Sequence, residues 1–464
     1  MKNKRGITLI SLVVTIVILV VLAGVAINLT VGENGLLRKA KLAKEEYNNA
    51  VASEEEQLNE LYAYLNGEDL PENTKENPQE AGTPVKIPSS WITKTPKIVD
   101  EKGNVKVAST NVTYVAAVAD GQGNTIPVPD EFYYVGGNLA TGVVISDNPD
   151  DKNKYVGYEA DGTTVKAVGV DLVGNQFVWI PCTLDGANGT IKYEKKVFEG
   201  YSNSGWDNQT NAAEKVQVGK YGGFYIGRYE AGLNESGISN IEFAVSAQTI
   251  SGFTNWQSDI YLKDKVSASG VPTVKANQIP WFHANYETAM AMSQKLYENK
   301  TSVSSGLVTG TMWDTMMKYM QAHGVNVTDN CTWGNFVSKS ITGTRGKYCT
   351  VDANGNTTAW KDTTSSDKGT DVSNATCIIL TTGSTEDVMK MNIYDVAGNL
   401  YEWTDEAAYI NVYSSYNKWA LNILRGGGCA HNNISYPACY RYGDSIYAAT
   451  TYTHVGFRVA LYIK

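Results

Sequence analysis

The residue types best suited to chemistry gather toward the C-terminal end of the chain. Asp395 and Glu402 frame a turn that also holds Gly398 and Asn399. Calcium takes several hard oxygens, from carboxylates and backbone carbonyls, on a compact loop of this kind. The same residues also make a capped turn in which Glu402 accepts from backbone amides. Six cysteines are present (Cys182, Cys331, Cys349, Cys377, Cys429 and Cys439), and none forms a C-x-x-C pair. An even number in an exported chain permits disulfides without fixing their connectivity. Structural zinc sites use closely spaced ligands of a kind not found here. The four histidines, His283, His323, His431 and His454, are scattered, with no H-x-x-x-H pair. From Cys429 to Val455 the chain is dense in Tyr, Ser, Asn, Thr and Ala and has no Lys, Glu, Gln, Met or Trp. Tyrosine gives large amphipathic contact at low entropic cost, and small polar residues adapt around it, as in a paratope. Ligand contact is therefore expected at His431, Asn432, Asn433, Tyr436, Tyr440, Tyr442, Tyr447, Tyr452 and His454.

These residues need a scaffold, and 464 residues are more than one ordinary domain requires. With 29 tyrosines, 43 glycines and only 19% charged residues, the composition suits a loop-rich surface better than a helical bundle. The net charge of -9 and the lack of a basic stripe exclude nucleic acid as an expected partner.

At the N-terminus, Lys2, Lys4 and Arg5 precede an apolar run from Ile7 to Leu29. A run of this length can cross a bilayer as a helix, and the leading cations place the chain beyond Leu29 outside. A secretory signal peptide, with a small-residue site at Ala23–Ala26, is the alternative. The order Lys-Asn-Lys-Arg-Gly-Ile-Thr-Leu-Ile resembles a type IV prepilin signal. That resemblance implies cleavage after Gly6 by a prepilin peptidase, Ile7 as the new methylated N-terminus, and a retained pilin helix over 7–29. Ser11 departs from the family, which has glutamate at the fifth mature position, so filament assembly loses its charged partner. An amphipathic helical stem is expected over 30–66, because apolar residues recur at helical spacing from Leu36 to Leu65. A polar Pro/Glu/Asn-rich linker is expected over 67–96. Residues 97–172 form a β-rich segment of short runs parted by turns, either a module of its own or an entry strand set packed on the main domain.

Residues 173–464 read as that main domain. Gln176-Phe-Val-Trp-Ile-Pro181 and Gly222-Gly-Phe-Tyr-Ile-Gly-Arg-Tyr-Glu230 read as strands, the second alternating in character. One helix is expected from near Asn285, with Tyr286, Met290 and Leu296 inward. Another is expected to be capped by Thr311 with Asp314 three residues on and to end by Gly324. Its Trp313, Met316, Met317 and Met320 are read as core filler.

Asp395-Val-Ala-Gly-Asn-Leu-Tyr-Glu-Trp403, Leu424-Arg-Gly-Gly-Gly428 and Val455-Gly-Phe-Arg-Val-Ala460 occur in that order. In that order they resemble the formylglycine-generating enzyme (sulfatase-modifying factor) family, which has a C-type lectin-like fold. The two resemblances together imply an α+β chain: a long N-terminal pilin-type helix, then a lectin-like domain with few helices and much irregular structure. The second also implies a structural calcium ion on the Asp395 and Glu402 side chains and the Gly398 and Leu400 carbonyls. The family's catalysis uses a close cysteine pair that binds copper(I), a soft ion suited to thiolates. Cys439, in Cys-Tyr-Arg-Tyr442, resembles the second of that pair. Ile434 stands where the first is expected, and Cys429 is too far upstream. Copper chemistry is thus not expected, and Cys429 and Cys439 are read as a disulfide or as two packed thiols.

The Tyr-rich tract also resembles the variable tract of diversity-generating retroelement target proteins. The resulting expectation is a single-pass, outward-facing, adhesin-like protein at the cell membrane. It would bind a surface protein or glycan, and pilin assembly components would be further partners. The alternatives are a copper-dependent oxidase of substrate cysteines and a structural minor pilin.

Overall fold

The structure is a computed structural model. It describes residues 72–94, 98–99, 105–107, 111–198, 206–207, 212–233, 271–282, 284, 286–328, 332–337, 343–351, 358–363, 377–411, 418–431, 434–442 and 454–464. The chain divides into two compact units, 1–70 and 71–464, and the described residues all belong to the second. The stretches 7–29 and 30–66, with Gly6 and Ile7, lie outside the described residues.

The expected α+β class is overturned. The described chain is mostly β, with three α-helices of ten to thirteen residues, and no described helix is long and apolar enough to cross a membrane. The physical reason is the apolar pattern, which comes in short runs cut by turn residues and so favours strand pairing.

The strands that matter are β1 (Val115–Ala119), β2 (Thr125–Pro129), β3 (Tyr133–Gly136), β4 (Val143–Ser146), β5 (Gln176–Pro181) and β6 (Gly223–Gly227). After them come β7 (Val303–Leu307), β8 (Lys347–Val351), β9 (Cys377–Leu380), β10 (Tyr401–Asn411) and β11 (Lys418–Arg425). The last are β12 (Arg441–Tyr442), β13 (Val455–Phe457) and β14 (Val459–Ile463). The helices are α1 (Ala212–Tyr221), α2 (Tyr286–Lys295) and α3 (Gly310–Ala322).

The main sheet is antiparallel, in the order β7-β14-β6-β5-β4-β3. Two of its strands, β3 and β4, come from the 97–172 segment, which is therefore packed on the main domain. Successive residues of a strand point to opposite faces, and here both faces are apolar. Phe177 and Trp179, with Val143, Tyr225 and Leu461, enter one core cluster. Val178 and Ile180, with Val144, Phe224, Ile226 and Ala460, enter the other. This explains the near-continuous apolar runs Phe-Val-Trp-Ile and Val-Ala-Leu-Tyr-Ile. It also corrects the alternating reading of 222–230, since all five residues of β6 are buried.

The first face is covered by the β1–β2 hairpin through Val115, Ala117, Ile126 and Val128, and by Trp281, Phe282 and Tyr297. The second is covered by α3 through Met312, Trp313, Met316, Met317 and Met320. Burying each such side chain contributes about 1.5–3 kcal/mol. The methionine stripe is core filler, as expected. The cap is not Thr311: Thr309 precedes the helix, and its side chain accepts from the Met312 amide at 3.2 Å. Thr311 instead donates to Asp207 at 2.5 Å, which frees Asp314 for another use.

A second sheet joins Trp206–Asp207, β10, β11 and β12 in that order, with β13 parallel to β10. A third sets Lys361–Asp362, β8 and β9 side by side.

Glu214 on α1 is buried, with the Tyr193 hydroxyl donating to it and the Thr309 hydroxyl donating at 3.3 Å. Burial, helped by Asp207 and Asp405, pushes its carboxyl from 4.5 up to about 8, against the opposing pull of the Tyr193 hydrogen bond. The folded state thus prefers the neutral acid. Its contribution is full below about pH 4.5 and is lost as pH rises toward about 8. Urea midpoints measured from pH 4 to 9 should fall with rising pH in the native chain and fall less in Glu214→Gln. Parallel curves for the two proteins would contradict the assignment.

Candidate recognition face and its support

The second sheet builds the region around the tyrosine-rich tract. On β11 and β12, Arg425 lies directly opposite Arg441. Like charges in this position repel, and here both are buried, at 0% and 4% exposure. Two carboxylates resolve the conflict. Asp314, one turn into α3, takes one bond from each guanidinium. Glu406 of β10 accepts from Arg425 Nη1 at 2.8 Å and from Arg441 Nε at 2.7 Å. A register shift between Thr404 and Ala407 marks a bulge in β10 at this point, and bulges re-aim side chains. Lys195 extends the network, 2.7 Å from Glu406 and 3.3 Å from Asp207. Three cations thus face three carboxylates. Burial works against ionisation of Glu406, but Arg425, Arg441 and Lys195 outweigh it and hold its carboxyl down at about 2. The Arg425 guanidinium also lies 5.8 Å from the Trp313 ring centre, and the Trp313 indole donates to the Ala438 carbonyl at 3.0 Å.

This network ties down both ends of the 426–442 segment. The turn that starts it needs glycine. Gly427 has φ +71°, and a Cβ there would meet the Tyr436 carbonyl oxygen at 2.2 Å. The far end is Arg441 itself, flanked by Tyr440 and Tyr442. Between the ends, the His431 amide donates to Gly428 at 2.9 Å and the Cys439 amide to Val327 at 3.0 Å.

Five of the expected ligand contacts come together over this base. The ring centres of His431 and Tyr436 are 4.4 Å apart, those of Tyr436 and Tyr440 are 4.8 Å apart, and those of His431 and His454 are 5.6 Å apart. Tyr442 stacks on Tyr401 at 5.4 Å with planes 27° apart. Tyr401 also meets His431 at 5.2 Å and His454 at 5.9 Å. His431, Tyr436, Tyr440, Tyr442 and His454 are each half-buried. Tyr401, which the motifs did not single out as a contact, is buried beneath them, and its hydroxyl has no hydrogen-bond partner among the described residues. His431 Nδ1 is likewise buried without a partner among the described residues. Burial lowers the pKa of His431, so its ring is neutral at ordinary pH. Asn432, Asn433, Tyr447 and Tyr452 lie outside the described residues.

The Asp395–Glu402 turn has a different geometry from the one a cation needs. Both Glu402 oxygens are taken by Arg458, at 2.9 and 2.5 Å. Leu400 offers its amide to Glu230 at 3.1 Å, and Asn399 donates to the same carboxylate at 2.8 Å. The Gly398 amide donates to Gly426. Asp395 accepts from the Gly383 amide at 2.8 Å, and its other oxygen has no partner among the described residues. That one atom suits a cation. The rest of the donor set does not fit one, because a guanidinium already occupies Glu402. Among the described residues no group of three His, Cys, Asp or Glu side chains is disposed to hold a metal. Burial pushes the carboxyl of Asp395 up to about 7 and that of Glu230 well above its ordinary range, which favours their neutral forms.

Cys429 and Cys439 are not joined to each other; both are buried, in separate core clusters. Cys429 Sγ instead lies 2.9 Å from Cys377 Sγ on β9. Of the supporting residues, Arg425 and Arg441 stood inside quoted motifs, and an arginine within an apolar strand signals a buried carboxylate partner. Nothing local in the sequence marks Asp314 or Glu406 as those partners.

No family model matches the chain, and no curated protein does. Among solved structures, the chain is similar to Treponema denticola variable protein 1 at 12% identity, over 64% of this chain and 98% of that one, with a TM-score of 0.27. It is similar to CarF at 14% identity, over 56% of this chain and 97% of that one, with a TM-score of 0.24. At these scores neither likeness decides fold or function. The resemblances to formylglycine-generating enzymes and prepilins therefore rest on motifs alone.

Removing one partner from a buried ion network leaves an uncompensated charge and costs about 3–5 kcal/mol. Asp314→Asn should destabilise by that order in urea denaturation. Lys154→Met, which breaks the exposed pair Lys154–Asp171, should cost about 0–1 kcal/mol. Similar costs for the two would contradict the network's structural weight.

Proposed function

We propose that this chain is a ligand-binding protein whose recognition face is the aromatic cluster of His431, Tyr436, Tyr440, Tyr442 and His454. The observation that carries the reading is the convergence of these five half-buried rings, two of which, Tyr440 and Tyr442, flank Arg441 of the buried salt-bridge network. They are separated by up to 23 positions in sequence (431 to 454). A face of this kind has rigid aromatic anchors, since tyrosine loses little entropy on binding. With His431 neutral, the described rings bring little formal charge. Stacking and hydrogen bonding then do the recognising, which suits a glycan ring or an apolar protein surface better than an anion. The Tyr401 hydroxyl and His431 Nδ1, buried without partners among the described residues, add two polar atoms to the cluster. Display at the outer face of a cell membrane is part of the proposal and rests on the cation-led apolar run 7–29.

Arrays of glycans and of cell-surface proteins, probed with the full-length chain, test the reading. Aromatic hot spots each carry about 2 kcal/mol or more, about a 30-fold change in affinity. The variant Tyr436→Ala/Tyr440→Ala/Tyr442→Ala should therefore lose detectable binding while keeping its thermal transition. Undiminished binding by that variant would overturn the proposed face. Absence of any array ligand for the native chain, with co-purification in filaments, would favour a structural role.

A further inference from the structure

We propose that Cys377 and Cys429 form a disulfide that ties the root of the aromatic tract to β9. The two sulfurs lie 2.9 Å apart across 52 positions of sequence. Unbonded sulfurs do not normally approach so closely, and a disulfide bond is about 2 Å long. The surrounding backbone is already held in place for the bond. The Cys429 amide donates to the Asn399 carbonyl at 2.9 Å. The Asn399 side chain in turn bonds both the amide and the carbonyl of Leu380, at 2.9 and 3.2 Å, on the strand that Cys377 begins. Both thiols are buried, at 4% and 1% exposure. Cys429 sits directly after Gly426-Gly427-Gly428 and two residues before His431, so the bond would pin the turn on which the recognition face starts.

The chemistry needs an oxidant, and a thiol–disulfide oxidoreductase supplies it. During folding, before the core closes, the thiolate of one cysteine attacks the oxidoreductase's disulfide and forms a mixed disulfide. The other cysteine then displaces it, leaving the Cys377–Cys429 bond. The two electrons and two protons end on the oxidoreductase as a dithiol. Once the chain is folded, the burial of both sulfurs shields the bond from exchange. Cys349 is the nearby competitor: on β8 it pairs with Ile379, two residues from Cys377. The pairing follows from the contact and does not depend on what the aromatic face binds.

The test is peptide mapping of the full-length chain refolded from its reduced, denatured state in oxidised glutathione. Free thiols are alkylated in denaturant before digestion without reductant. The expected result is a linked peptide pair containing Cys377 and Cys429 that disappears on reduction and persists in Cys349→Ser and Cys439→Ser. A second expected result is a reductant-induced fall in Tm that Cys377→Ser/Cys429→Ser does not show. Recovery of Cys377 and Cys429 both alkylated, or a dominant link from either one to Cys349 or Cys439, overturns the proposal. The native-chain map needs no variant, so misfolding of a serine mutant does not shelter the idea.

Discussion

Two buried arginines opposite each other on neighbouring strands make an arrangement that cannot stand alone. Arg425 and Arg441 hold that position on β11 and β12, and everything around the recognition face depends on neutralising them. The compensating carboxylates come from different layers: Asp314 from the helix packed on the main sheet, Glu406 from a bulge in β10. The network thereby cross-links α3, β10, β11 and β12. Replacing such a network with apolar residues is often neutral or stabilising, whereas breaking it is costly. Its value lies in register and position, since the only low-energy arrangement is the one that brings all four groups together.

The aromatic face inherits its geometry from that constraint. Tyr440 and Tyr442 flank Arg441, and the glycine turn leaves directly from Arg425. The tract thus starts and ends on charged anchors, and its rings need not carry the fold. Tyr401 continues the hydrophobic core up into the cluster.

The sequence showed some of this directly. The strand at 176–181 follows from its short apolar run and the methionine helix from its helical spacing, because both bury apolar side chains in a local pattern. Of the nine residues that the tract's composition pointed to, the five described ones lie next to one another. The overall class did not follow, because the expected long helix dominated the reading while the described chain is mostly β. The cap at Thr311 was misplaced by two residues, since Asp314 looked like a capping acid while it serves Arg441, 127 positions away. The Asp395–Glu402 turn was legible as a polar loop, but Arg458, 56 positions on, claims its glutamate. The partner of Cys429 was hidden in the same way. Long-range polar pairing leaves no periodic trace, so motifs located these groups without showing what they touch.

Amide hydrogen exchange across 426–442 in the native chain and in Glu406→Gln is the most direct measurement of the central claim. If the buried network holds the recognition face, the His431, Cys439 and Tyr440 amides should lose protection in the variant while β5, β6 and β14 keep theirs. Unchanged protection at 426–442, or an equal loss throughout the main sheet, would contradict it.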